Sequence, residues 1–328
     1  MPVSSAALKC LAAIPGLSVL QNVPLSRYTR FGIGGPASAL CDADREESFV
    51  DAIRAVRELA LPRMVIGGGT NLVVSDNGFD GVVLRYTGAR IEHDGMTLRA
   101  QSGAVLQDVV DCSIDLGLKG METMTGIPGF LGGAIYGNAG AYGHSIQERI
   151  REVRLLNGDQ IVRLNNRECE FRYRESVFKE RKDWVILSTD LEFQAGDRVE
   201  MARAAADIRA IRDAKYPPTM KCAGSIFKNL LIADLPVTLV EQIPLKVIRE
   251  GKVPSAWFLE QTGVKGLRRG DIQVAEYHAN LVYNDGDGTA TDLFVVIEEL
   301  KRRVQERFGI ELEEEVQLVG FDHVMASA

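Results

Sequence analysis

Two glycine-rich stretches and three short polar clusters carry the groups through which this chain could do chemistry. The first stretch is Ile66-Gly67-Gly68-Gly69-Thr70-Asn71-Leu72, set between two runs of β-favouring residues. Its three glycines expose consecutive backbone N–H groups, and Thr70 and Asn71 add short polar side chains. Such a nest suits a pyrophosphate; an ordinary tight hairpin has the same composition. A Rossmann dinucleotide turn fits poorly, because Leu72-Val73-Val74 reads as a strand where that turn must open a helix. Phe31-Gly32-Ile33-Gly34-Gly35-Pro36-Ala37 also resembles a glycine fingerprint, but Pro36 lies where a helix should continue.

The second stretch runs from Thr125 to Gly143 as TGIPGFLGGAIYGNAGAYG. Small residues every two or three positions leave little side chain, so a flat ligand or another backbone can lie directly against it. The absence of Ser, Lys and Glu argues against a mobile surface loop.

The three polar clusters are weaker signals. Phe171-Arg172-Tyr173-Arg174-Glu175-Ser176-Val177-Phe178 interleaves aromatics and cations, a pattern that solvated surface arginines also give. Ser225 follows a small-residue turn in Ala223-Gly224-Ser225-Ile226-Phe227-Lys228-Asn229, without the spacing of a hydrolase elbow. Glu311, Glu313 and Glu315 alternate with Leu312 near the C-terminus, as a solvated strand face would.

The elements that must position these groups are mixed. Helical spacing is clear from Arg45 to Ala60, with Phe49, Ile53, Val56 and Leu59 on one face, and from Val105 to Leu116. It returns from about Asp197 to Lys215. The best-formed helix carries Leu293, Val296, Ile297, Leu300 and Val304 in one stripe, with Thr291 as its cap. Asn157-Gly158 between two alternating runs predicts a hairpin. A regular βαβ period is missing, which points to an α+β fold.

Bulk composition narrows the function. The chain has 328 residues, 46% of them hydrophobic and 25% charged, as a globular protein of about two domains would. Of 32 glycines, 20 fall between Gly32 and Gly143. A net charge of −7 with no basic run argues against nucleic acid. Five widely spaced cysteines and four scattered histidines give no metal motif and read as the packed thiols of a cytosolic protein. The N-terminus has no secretory pattern, and the uncharged 123–147 stretch holds too much glycine for a membrane helix. A soluble, cytoplasmic protein without a metal site is expected.

Taken in order, the motifs resemble the UDP-N-acetylenolpyruvoylglucosamine reductase family. The resemblance runs from Tyr28-Thr29-Arg30-Phe31 to Gly320 through GGGTNL, GIPGFLGGAIYGNAGAYG, FRYRESVF, GSIFKN, AWFLEQTGVKG, His278-Ala279-Asn280 and GIELEEEV. It implies a vanillyl-alcohol-oxidase-like α+β fold: two FAD-binding subdomains, 18–86 and 87–214, and a C-terminal substrate-binding domain, 215–320. It implies non-covalent FAD, with NADPH as co-substrate. The implied reaction reduces UDP-N-acetylglucosamine enolpyruvate to UDP-N-acetylmuramate for peptidoglycan precursor synthesis. Partners would be those two small molecules, with neither nucleic acid nor membrane, in a monomer or weak oligomer.

The resemblance also assigns residues. Arg174, Ser225 and Glu315 match the family's catalytic positions, Ser225 as proton donor, with Glu313 as the other register for the carboxylate. Gly67, Gly68, Gly69, Thr70, Asn71, Leu72, Gly126, Ile127, Pro128, Gly132, Gly133, Ala134, Asn138, Gly140 and Ala141 would hold the cofactor. Tyr136, Arg212, Lys215, Asn229 and His278 would meet the substrate. The spacing from Arg174 to Ser225 resembles the shorter subtype, which lacks an extra substrate-covering loop. Two departures stand out: a 24-residue insertion from Leu230 to Val253, and Gln317 where many relatives carry a basic residue. The competing readings are another FAD oxidoreductase of the same superfamily and a catalytically silent nucleotide-sugar-binding protein.

Overall fold

The computed structural model describes residues 3–321. Its contacts divide the chain into two units: one of 1–23, 37–69 and 80–218, the other of 24–36, 70–79 and 219–328. Segments 24–36 and 70–79, early in the sequence, therefore pack with the C-terminal third.

The first unit holds two sheets. In the four-stranded sheet the order is Leu17–Pro24, Pro36–Ala43, Phe79–Tyr86 and Arg63–Ile66. Helix Glu46–Glu58 covers it, burying Phe49, Ile53 and Val56 beside Val82 and Leu84. Phe49 stacks on Tyr86 with ring centroids 5.0 Å apart. Leu59, expected on that face, lies past the helix end and stays exposed.

In the five-stranded sheet the order is Gln160–Asn165, Ile150–Asn157, Val185–Glu192, Thr97–Gln101 and Ile91–Asp94. All its pairings are antiparallel. The expected hairpin closes it at one edge, with Gly158 at φ +59 in the turn. Helix Leu106–Asp115 packs on its inner face through Leu106, Val109 and Val110.

The second unit is built round helix Ala290–Phe308, whose stripe Leu293, Val296, Ile297, Leu300 and Val304 is fully interior. Each such burial contributes about 1.5–3 kcal/mol. The cap is Thr289, whose side chain accepts from the Asp292 N–H, not Thr291. Thr291 instead donates its hydroxyl to Asp76, which also accepts the Ala290 and Thr291 N–H groups. Three strands, Arg268–Arg269, Ile272–Ala275 and His278–Asn284, complete this core together with the parallel pair Leu72–Val74 and Gln317–Val319. The 230–253 insertion opens and closes on one antiparallel pairing, Leu230–Leu231 with Lys252–Val253. Leu235, Leu239 and Ile243 anchor it in the same core. Among the described residues no helix is long and apolar enough to cross a membrane.

Candidate active site

Strand Arg63–Ile66 runs parallel to Phe79–Tyr86 and delivers the first glycine motif. The motif is not a hairpin, because the strand after it, Leu72–Val74, pairs elsewhere, with Gln317–Val319. A Cβ on Gly68 would stand 3.0 Å from the Gly129 Cα, and one on Gly67 3.4 Å from the Phe130 Cβ. The backbone lying against the first motif is thus that of the second.

Side chains thin out where a ligand could approach. Gly69 has φ +63, the left-handed geometry that builds an anion nest. The N–H groups of Gly68 and Gly69 donate to no backbone carbonyl among the described residues. A Cβ on Gly133 would meet nothing within 4 Å. The Thr125 hydroxyl, one residue before Gly126, is buried without a hydrogen-bond partner among the described residues; its residue type and position alone mark no role for it. An open backbone surface and an unspent nest fit a flavin dinucleotide.

The second motif is not a plain loop: Leu131–Tyr136 forms a short helix. Glycines at 132 and 133 disfavour helix, but tertiary bonds set its start. Leu131 and Gly132 donate to the carbonyls of Ala104 and Ser102, both at 2.8 Å. A Cβ on Gly132 would collide with Ser102 at 2.9 Å. Gly126, at φ +77, donates to Gln107 Oε1 and lies against the Arg212 side chain. Ile127 N–H donates to the Met124 carbonyl, Pro128 follows it, and Ala134 is buried. One candidate substrate residue and one candidate cofactor residue thus meet at Gly126.

Beyond the helix, the motif joins the Arg174 turn. Arg172 and Glu175 exchange backbone hydrogen bonds of 3.0 Å in both directions. Arg174, inside that turn, has φ +57. Its Nη2 donates to the Gly140 carbonyl at 3.0 Å, and Gly140–Ala141 is itself paired with His144–Ser145. Ser176 donates to the Tyr136 carbonyl at 2.7 Å. Asn138, 2% exposed, donates to the Arg172 carbonyl at 2.8 Å and to Gln147 Oε1 at 3.2 Å. Its Oδ1 accepts from Gln147 N–H. The Asn138 side chain, expected to face a cofactor, is therefore engaged inside the protein, holding the arginine turn. Burial pushes the Tyr136 phenol above its ordinary value, and the Glu175 carboxylate adds to the effect.

Arg212 and Lys215 lie in the last turn of helix Arg198–Lys215, both over the Tyr216 ring, at 5.7 and 5.0 Å from its centroid. Two cations at a helix C-terminus are well matched to its dipole.

The second unit carries Ser225, Asn229, His278 and Glu315. Ser225 bridges Leu281, and Glu315 N–H donates to the Ile226 carbonyl at 2.7 Å. The acidic row separates cleanly. Glu313 pairs with Lys228, and Glu314 with Lys301 at 3.0 Å. The Glu315 carbonyl accepts from Asn71 Nδ2 at 2.8 Å, while Gln317 N–H donates to the Asn71 carbonyl. Asn71 and Leu72, expected to touch the cofactor, thus brace the Glu315 segment; Thr70 precedes them in the same unit. His278 Nδ1 accepts from Asn280 N–H at 3.2 Å. Asn229 follows Lys228, whose carbonyl accepts from Ser255.

A family model described as an FAD-binding domain matches residues 37–165. Together with the open glycine surface on an α+β framework, that match makes this a flavin-dependent oxidoreductase. A second model, the C-terminal domain of UDP-N-acetylenolpyruvoylglucosamine reductase, matches residues 216–319. The reductase of that name from Solibacter usitatus is 56% identical, over 94% of this chain and 99% of its own length. The one from Syntrophus aciditrophicus is 35% identical, over 93% of each chain. The solved UDP-N-acetylenolpyruvylglucosamine reductase of Thermus caldophilus superposes with a TM-score of 0.73 at 27% identity, covering 92% of this chain and 99% of that one. The chain belongs to the UDP-N-acetylenolpyruvoylglucosamine reductase family.

Proposed function

We propose that this chain uses NADPH to reduce the enolpyruvyl ether of UDP-N-acetylglucosamine to the lactyl ether of UDP-N-acetylmuramate. The observation that carries the residue assignments is the lock between Ser225 and Glu315, one hydrogen bond of 2.7 Å away through Ile226. Glu315 is tied by its own backbone to Ile226, the residue after Ser225, which favours it as the acting carboxylate.

FAD, held non-covalently by the glycine motifs, would supply the hydride chemistry that links NADPH to C3 of the enolpyruvyl group. Negative charge then builds on C2 and its carboxylate, and the protein's task is to stabilise that charge and protonate C2. Ser225 gives its hydroxyl proton to C2, completing addition of H⁻ and H⁺ across the double bond. The Arg174 guanidinium binds the developing carboxylate dianion through its fork of donors. Glu315 acts beside Ser225. Lys215 and Arg212 meet the diphosphate, and Asn229, His278 and Tyr136 complete the substrate contacts. Gly67, Gly68, Gly69, Thr70, Gly126, Ile127, Pro128, Gly132, Gly133, Ala134, Gly140 and Ala141 cradle the cofactor, with Asn71 and Leu72 fixing the end of the first motif.

The same reading makes 18–86 and 87–214 the cofactor-binding subdomains and 215–320 the substrate domain. It makes the protein a cytoplasmic monomer or weak oligomer, without nucleic-acid or membrane partners. The test is NADPH oxidation by purified, flavin-loaded protein. Under anaerobic conditions NADPH should reduce the flavin once, multiple turnovers should begin only when the enolpyruvyl sugar nucleotide is added, and acid precipitation should release the flavin. NADPH consumption indifferent to that substrate would reject the reading.

A further inference from the structure

Asn280 lies on strand His278–Asn284 between buried Ala279 and Leu281, and is itself 2% exposed. Its amide serves one residue of a neighbouring segment. Asn280 Nδ2 donates to the Phe227 carbonyl, and Oδ1 accepts from the Phe227 N–H, both at 2.9 Å. The Asn280 carbonyl also accepts from the Ile226 N–H at 3.0 Å. One asparagine thus takes three backbone groups of the two residues that follow Ser225.

The far side of the same segment is equally occupied. Ile226 accepts from Glu315 N–H at 2.7 Å, and Lys228 donates to the Glu313 carbonyl at 2.9 Å. The segment after Ser225 is therefore clamped between Asn280–Leu281 and Glu313–Glu315. Without the Asn280 amide, a buried N–H and a buried carbonyl on Phe227 lose their partners, and the segment must shift to regain them. Such a shift moves Ser225 directly, and Glu315 through Ile226.

We infer that Asn280 is a positioning residue for the proton transfer, holding Ser225 and Glu315 in register through the Phe227 backbone. The inference rests on the reading of Ser225 as the proton donor. It is tested with FAD-loaded full-length protein under anaerobic rapid mixing. Flavin absorbance follows reduction by NADPH and reoxidation by the enolpyruvyl sugar nucleotide as separate steps.

Asn280→Ala should be reduced by NADPH at a rate within about twofold of the parent but reoxidise about 100-fold more slowly, as expected of a displaced reacting group. Substrate affinity, read from the flavin difference spectrum, should change by less than about threefold. Asn280→Asp keeps an acceptor for Phe227 N–H and should lie between; it carries the comparison if the alanine variant does not fold. Added to Ser225→Ala, Asn280→Ala should slow reoxidation by less than a further about twofold, because both act on one step. Parent-like reoxidation in Asn280→Ala, equal slowing of both steps, or full multiplicativity with Ser225→Ala would each overturn the inference. If Ser225→Ala is inactive in reoxidation beside an unaffected Asn280→Ala, only the positioning role falls. If Ser225→Ala itself reoxidises normally, the donor assignment falls and takes this inference with it.

Discussion

Arg174 and Ser225 are held by opposite means. Arg174 occupies a left-handed position in a two-residue turn, at φ +57, braced by Asn138 on the Arg172 carbonyl and by its own bond to Gly140. Ser225 sits in an unstrained segment bridged to Leu281 and continued by backbone bonds to Asn280 and Glu315. The difference follows from the side chains. A serine has one rotatable bond before its oxygen, so fixing the backbone fixes the hydroxyl. An arginine has four, so its turn must aim the chain and a second contact must hold the fork. Strain of the order of 1–3 kcal/mol at such a residue persists only where its surroundings over-determine it.

The largest expected consequence is catalytic. Arg174→Ala should lower kcat/KM about 100- to 1,000-fold, as loss of a donor to developing charge does, with flavin reduction by NADPH preserved. Arg174→Lys should not restore it, since an ammonium lacks the planar fork. Steady-state rates close to the parent in either variant would break the distinction drawn between the two regions.

A smaller, opposite pair of effects concerns backbone. At position 174 glycine should be more stable than alanine by roughly 1 kcal/mol, because it relieves the positive φ. At position 225 the order should invert, with Ser225→Gly less stable than Ser225→Ala by about 0.5–1 kcal/mol. Denaturant midpoints of the four variants check the sign. The same order at both sites would show that strain does not separate them.

The smallest effect is at alkaline pH. Burial, with Glu175 second, raises the Tyr136 pKa in the folded state. The unfolded phenol ionises near pH 10, so this stabilisation is complete below about pH 10 and is lost as pH rises towards the folded value. Tyr136→Phe should flatten the alkaline decline of Tm, and a decline identical to the parent would remove Tyr136 from the account of the arginine region.

Much of the framework was legible because its signals are local. The stripes of Glu46–Glu58 and Ala290–Phe308 and the Asn157-Gly158 hairpin follow from spacing and turn chemistry within one element. What escaped depends on partners distant in sequence. Leu72–Val74 pairs with Gln317–Val319, so the polar end of the first glycine motif braces Glu315. Thr291 lost the cap to Thr289 because Asp76, from another loop, takes its hydroxyl. Asn138 and Asn280 look alike as buried amides near glycines or a histidine, and only their hydrogen bonds show that each holds a neighbouring segment. The type of each chemical group was readable; which backbone it would grip was not.

On the proposed reaction, a glycine-built cofactor surface and a separately held proton donor serve one reduction. Anaerobic Ser225→Ala protein, loaded with FAD, tests it most directly. NADPH should bleach its flavin at the parent rate, and subsequent enolpyruvyl sugar nucleotide should recolour it far more slowly than it recolours the parent. Prompt recolouring of Ser225→Ala by that substrate would contradict the account.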